Sequence, residues 1–309
     1  MNFAFFFAGQ GSQSLNMMNG FDGIAEVKAT FDEASAALNQ DLWAMMNGSD
    51  ADLISQTVNT QPLMLTAGVA TYRAYLAAGG KAPGVVAGHS LGEYTALVAA
   101  GSLNFADAVR LVRRRAELMQ SAVPQGVGAM AAILGLDDEQ VRQICAAAEQ
   151  GDVCEAVNFN SVGQVVIAGN AAAVERAMAA AKEAGAKRAL PLPVSVPSHC
   201  RLMKPAAEKL AVALQDVALR QPEIRVIHNA DVAAYNDVAQ IKDALVRQLY
   251  SPVRWTETVQ LLVRESITQS AECSPGKVLA GLAKRADKNM ECAALVSQQA
   301  VQDFIAAHS

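Results

Sequence analysis

Apolar positions along this chain come in two rhythms. The run Phe3–Phe7 is short, aromatic and wholly apolar, and Gly9-Gln10-Gly11 ends it, which predicts a buried strand. Gly84-Val85-Val86-Ala87 predicts a second buried strand and runs straight into Gly88-His89-Ser90-Leu91-Gly92. A helix over Glu93–Ala100 follows, with Gly101 as its stop, then another over Phe105–Gln120 with Asn104 as N-cap. Buried strands separated by helical stretches predict an α/β layer with a mostly parallel sheet.

From Gly126 to Val196 the rhythm changes. Ala129–Leu136 reads as a strand, and Asp137–Glu149 as a helix opened by two acids that suit its dipole. Cys154–Phe159 and Gln164–Ala168 read as strands joined at Asn160-Ser161-Val162-Gly163. Ala171–Ala184 is an alanine-rich helix closed by Gly185, and Arg188–Val196 an extended segment kept from helix by its prolines. The order β-α-β-β-α-β is that of the ferredoxin-like unit. We expect residues 126–196 to be an inserted subdomain, and residues 1–125 and 197–309 to form the larger α/β domain. The larger part resumes with helices near Leu202–Val217, Ala239–Leu249, Trp255–Arg264 and Val278–Arg285, and a strand at Arg225–His228.

Composition narrows the function classes. At 309 residues, with 52% hydrophobic and 18% charged, the chain is neither disordered nor short of core. A net charge of −5 argues against a general nucleic-acid binder. No apolar stretch approaches the roughly 20 residues of a membrane span, and Phe3–Ala8 is too short for a signal segment. Five scattered cysteines without CxxC spacing suggest neither a disulfide framework nor a zinc site, so a reduced cytoplasmic protein is expected.

Gly88-His89-Ser90-Leu91-Gly92 is a G-x-S-x-G sequence between a predicted strand and helix, the context in which that motif presents a nucleophile on a sharp turn. The Leu91 amide would then point at an oxyanion, with a helix dipole behind it. The alternative is an ordinary glycine-rich turn with an N-capping serine. Among four histidines, His308 is in the tail, His89 should diverge from its neighbour Ser90, and His228 lies in an apolar strand as a core histidine would. His199, where the chain leaves the subdomain, remains the candidate base. No aspartate stands out as a third member; Asp107, Asp137, Asp138 and Asp152 fall in helix starts or loops.

In Phe105–Gln120 the apolar positions Ala108, Leu111, Val112 and Met119 make one stripe, and Arg115 lies in its middle. Arg110, Arg113, Arg114 and Glu117 fall on the opposite side. A buried arginine keeps its proton and calls for an anionic partner. Either a core carboxylate pairs with it, or the side chain snorkels to an edge, or it holds the carboxylate of a ligand bidentately. Gly9-Gln10-Gly11-Ser12-Gln13 lacks the third glycine of a dinucleotide loop; a turn placing the Gln10 amide beside Ser90 as a second oxyanion donor suits it better. Ser274-Pro275-Gly276-Lys277 lacks the spacing of a P-loop.

These blocks, in this order, resemble the bacterial malonyl-CoA–acyl carrier protein transacylases of type II fatty acid synthesis. The likeness covers nearly the whole chain. It includes Gly9–Gln13, Gly88–Tyr94, Arg115 in Arg-x-x-x-Met-Gln, Asn158–Ser161, Pro193–His199, Gln248–Val253 and Pro275–Leu279. It implies a hydrolase-like α/β core with an inserted ferredoxin-like subdomain. It implies that Ser90 carries the acyl ester, His199 is the base, and Arg115 holds the malonyl carboxylate. Gln10 and Leu91 would give the oxyanion amides, and the main-chain carbonyl of Gln248 would orient His199 in place of an acid. The implied reaction is ping-pong transfer from malonyl-CoA to the phosphopantetheine thiol of acyl carrier protein, with no metal or redox cofactor, no membrane and no nucleic acid, by a monomer. A serine thioesterase using the same nucleophile, or a carrier-binding scaffold without catalysis, are the rivals. Three departures stand out: Ala8 in place of a common proline, Ser198 where many malonyl-specific members have phenylalanine, and Cys273-Ser274 in place of a hydrophobic-glycine pair in a loop expected near the site.

Overall fold

A computed structural model describes residues 3–194 and 196–308. Ser195, inside the predicted extended segment, and Met1, Asn2 and Ser309 lie outside the described residues.

Two sheets carry the fold. The first holds β1 (Ala4–Phe7) and β2 (Val85–Gly88) with three later strands, β7 (Arg225–Ile227), β8 (Gln269–Glu272) and β9 (Glu291–Ala294), in the order β7-β2-β1-β8-β9. Every pairing in it is parallel. A parallel sheet has helices on both faces, which is why β1 is apolar at every position rather than at alternate ones. Successive residues point to opposite faces. Phe5 meets Tyr75 of the helix Thr57–Ala77 at 4.8 Å, and Phe6 meets Trp255 of the helix Trp255–Arg264 at 5.1 Å.

The second sheet contains β3 (Gly128–Leu134), β4 (Cys154–Ser161), β5 (Gln164–Asn170) and β6 (Arg188–Pro191), antiparallel throughout in the order β4-β5-β3-β6. Helices Asp138–Ala148 and Ala171–Glu183 connect its strands, the first opened by a reciprocal capping box between Asp137 and Gln140. Its apolar cluster, including Ile133, Val141, Val165 and Val174, is separate from that of the parallel sheet. The two parts are stitched where the Phe159 amide donates to the Val253 carbonyl (3.0 Å) and the Val253 amide to that of Val157 (2.8 Å).

The predicted architecture is present, with shifts at element ends. The strand expected over 84–87 lies at 85–88, and that over 188–196 ends at Pro191. Strands β8 and β9 carry no sequence signal of the kind that marks β1. β8 reads Gln-Ser-Ala-Glu, and its buried Glu272 is tolerated because the carboxylate accepts from Ser274 Oγ (3.0 Å) and the Ala280 amide (2.8 Å). β9 is an edge strand of mixed exposure.

Candidate active site

β1 and β2 lie side by side and parallel, so the loops leaving their C-terminal ends meet. β2 ends at Gly88 and the next helix starts at Gly92, leaving three residues for a reversal. That turn tolerates no side chain at its flanks. A Cβ on Gly88 would stand 1.8 Å from the Gly92 carbonyl carbon, and one on Gly92 would stand 1.9 Å from the Phe7 oxygen. Ser90, at the apex, is forced to φ 52°, a left-handed conformation that costs a non-glycine residue about 1–3 kcal/mol. Asn229 holds the turn from behind: its Nδ2 donates to the Gly88 carbonyl and its Oδ1 accepts from the Ser90 amide, both at 2.7 Å.

Ser90 Oγ lies 2.7 Å from His199 Nε2. His199 also has a left-handed backbone, φ 66°, and its amide donates to the Leu249 carbonyl at 3.0 Å. Its Nδ1 lies 2.7 Å from the main-chain oxygen of Gln248. A carbonyl only accepts, so Nδ1 carries the proton and Nε2 presents its lone pair to the serine hydroxyl. Among the described residues no carboxylate contacts the His199 ring, which is why a search of the aspartates finds none. Burial, and then the nearby Arg115 charge, push the imidazole from its ordinary 6.5 down to about 3, so it stands neutral at pH 7.

Arg115 is 1% exposed, as its place in the apolar stripe requires. Its contacts differ from the carboxylate pairing expected of a buried arginine. Nη1 donates to Gln61 Oε1 (2.7 Å), while Nη2 donates to Gln248 Oε1 (3.0 Å) and Ser90 Oγ (3.3 Å). Nε has no partner among the described residues. The guanidinium lies over the Tyr94 ring at 5.4 Å, and burial pushes that phenol up to about 12, so it stays neutral. No acid touches the cation among the described residues; two neutral amides fix its orientation. Gln61 Nε2 donates onward to Thr57 Oγ1 (3.1 Å), which donates to Gln10 Oε1 (3.0 Å).

The amides of Gln10 and Leu91 have no acceptor among the described residues, and both residues border the same cleft as Ser90, His199 and Arg115. A Cβ on Gly9 would lie 2.5 Å from the His89 carbonyl oxygen, which places the β1 loop directly on the serine turn. The cleft encloses about 580 Å³ between the two parts of the fold, and Leu192, Pro193 and Val194 form its subdomain wall. Ser198 also borders it, whereas the Cys273-Ser274 loop does not; that loop touches the β1 loop through Gly276 and Ser12.

His89 borders the same cleft, but its ring, like that of His228, is engaged by another partner. His89 Nε2 meets Asn160 Oδ1 at 2.7 Å, and His228 is buried with Nδ1 2.6 Å from Glu93 Oε1. Arg113, expected in solvent, is half-buried and donates to Gln40 and Asn59. Gln61, Glu93, Asn229 and the side chain of Gln248 are the site residues that pattern reasoning misses. Gln61 and Glu93 leave a trace, each a polar residue inside an otherwise buried helix. Asn229, in a loop, leaves none.

A serine and histidine so placed beside two open amides, on a strand–turn–helix of a parallel sheet, make an arrangement chemically able to carry acyl transfer. The family described as acyl transferase domain matches residues 4–307. The malonyl CoA-acyl carrier protein transacylase of Escherichia coli strain K12 is 55% identical over 294 residues, 95% of each chain. An acyl-carrier-protein S-malonyltransferase from Burkholderia pseudomallei superposes with a TM-score of 0.97 at 56% identity, covering 99% of this chain and 100% of the other. A malonyl-transacylase solved in complex with its type II PKS acyl-carrier protein superposes at 0.98 with 49% identity, covering 99% and 100%. The chain belongs to the malonyl CoA-acyl carrier protein transacylase family.

Proposed function

We propose that the protein transfers the malonyl group from malonyl-CoA to the phosphopantetheine thiol of acyl carrier protein, supplying fatty acid elongation, by way of a malonyl ester on Ser90. The observation that carries this reading is a buried guanidinium 3.3 Å from the serine hydroxyl with no acid in contact among the described residues. A carboxylate one methylene away from a thioester carbonyl reaches both groups at once.

His199 takes the Ser90 proton through Nε2 as Oγ attacks the thioester carbon. The Gln10 and Leu91 amides receive the developing oxyanion, each worth about 10²–10³ in rate by analogy with known donors. The imidazolium is stabilised by the Gln248 carbonyl and returns the proton to the departing thiolate of coenzyme A. The thiol of the carrier then attacks the ester through the same steps in reverse. An acyl group moves between two thiols with no redox change, so the reaction calls for no metal and no cofactor. We take the protein to act as a monomer. The five free cysteines suit the reducing cytoplasm. We take residues 126–196 as the subdomain that closes one wall of the cleft.

Intact mass of the protein mixed with malonyl-CoA tests the reading. A stable malonyl adduct, discharged by a carrier protein bearing phosphopantetheine, is expected. Turnover to free malonate without an adduct would identify a thioesterase, and no reaction at all would identify a scaffold.

The depressed imidazole sets the pH dependence. Its neutral form is the base, so acylation kcat/KM is expected to stay flat from pH 8 down to about pH 5, falling only as His199 gains a proton below that. A limb centred near the ordinary histidine value would contradict the assignment. Removing the Arg115 charge should move the limb upward, because that charge is one cause of the depression. The same group destabilises the fold as pH falls from 6.5 towards 3, where the unfolded chain binds the proton and the native site does not.

A further inference from the structure

Glu93 follows the serine turn and is 0% exposed, yet it is not among the groups that the proposed chemistry uses. Its Oε1 meets His228 Nδ1 at 2.6 Å, and its Oε2 accepts from the Asn229 amide and from Gln248 Nε2, both at 2.9 Å. His228 is also 0% exposed, and its Nε2 has no partner among the described residues. His228 takes one oxygen of the carboxylate, and the other oxygen is turned towards Asn229 and the Gln248 amide. One neutral amide separates the carboxylate charge from Arg115: Gln248 donates Nε2–H to Glu93 and accepts from Arg115 Nη2 through Oε1 at 3.0 Å. Burial weakens the hold of Arg115 on its proton, and Glu93 is among the groups that strengthen it.

We infer that Glu93 is the counter-charge of Arg115, held back by the Gln248 amide so that the cation stays compensated in the empty site while its ligand-facing edge remains open. A direct Glu–Arg pair would compete with a substrate carboxylate for that edge. A buried cation with no acid nearby would destabilise the fold and hold a carboxylate more tightly. Glu93 would thus be a positioning and specificity-setting residue that never touches substrate. The inference rests on the acyl-transfer reading above.

Glu93→Gln tests it with little change of shape. The new amide can donate to His228 Nδ1 after a tautomer shift that moves the ring proton to the unpartnered Nε2, and its oxygen can still accept from Asn229 and Gln248, so the shape is kept and the charge goes, at the cost of one unpaired N–H. Acylation by malonyl-CoA and by acetyl-CoA is measured in wild type and variant. The malonyl-to-acetyl ratio of kcat/KM should rise about ten-fold, the scale of a unit charge felt across one bridging amide in partly screened protein. The variant should also melt at a lower temperature, and that loss should be smaller on the Arg115→Met background, which has no cation to compensate and keeps only the cost of the unpaired His228 N–H. A poorly accumulating single variant with a well-behaved double variant supports the same conclusion. A ratio unchanged in a folded Glu93→Gln protein, or a stability loss as large on the Arg115→Met background as on the wild-type one, overturns the inference and leaves acyl transfer intact. A wild-type protein that forms no malonyl adduct overturns the reading beneath it instead.

Discussion

Ser90→Ala is expected to lower malonyl transfer by about 10⁴–10⁶-fold, the range seen when a serine nucleophile is removed from a comparable site. The variant should show no malonyl adduct by mass, yet it should fold. Ser90 occupies a left-handed turn that alanine enters at similar cost, and the Ser90 amide bond to Asn229 and the carbonyl bond from Gln248 Nε2 use only backbone atoms. The bonds lost are those of Oγ to His199 and Arg115. The thermal midpoint should therefore stay close to wild type while activity vanishes. A variant that retained more than about a hundredth of the transfer rate would contradict a covalent serine intermediate, since background catalysis by the remaining site lies orders of magnitude lower.

Arg115→Ala carries the second large effect. Breaking a fully desolvated charge pair costs about 3–5 kcal/mol, so acylation by malonyl-CoA should fall about 10²–10⁴-fold. Acylation by acetyl-CoA should hold or improve, because an acetyl methyl in the wild-type site leaves the guanidinium without its ligand. The selectivity ratio, measured as the two kcat/KM values on one preparation, should collapse by at least two orders of magnitude. The fold should survive, since Gln61 and Gln248 lose one partner each but keep Thr57, Met119, Ser90 and Glu93 as others. An unchanged preference for malonyl would remove the clamp from the account.

Much of this site is legible in the chain because its parts are anomalies of pattern. A serine between glycines at a strand–helix junction and an arginine in an apolar stripe both stand out against what local packing would choose. His199 is reached by elimination, and its orienting group is not visible at all: a main-chain carbonyl has no residue signature, so Gln248 enters only through family resemblance. The amides that fix Arg115 are hidden for a different reason. Gln61 and Gln248 are separated from it by 54 and 133 positions, and only tertiary contact reveals that they accept from the same guanidinium. Strands β8 and β9 are missed because buried polar residues such as Glu272 are stabilised by partners from the following loop and helix, which period and propensity do not encode. The Cys273-Ser274 departure finds a structural use there, since Ser274 Oγ donates to Glu272 rather than facing the cleft.

The central claim is that an uncovered cation beside Ser90 chooses acyl groups that end in a carboxylate. The most direct measurement mixes the protein with equal concentrations of malonyl-CoA and acetyl-CoA and reads the acyl-enzyme by intact mass within the first turnovers. Malonyl-serine alone, at about a hundred-fold or greater excess over acetyl-serine, is the predicted result. Comparable amounts of the two adducts would contradict it.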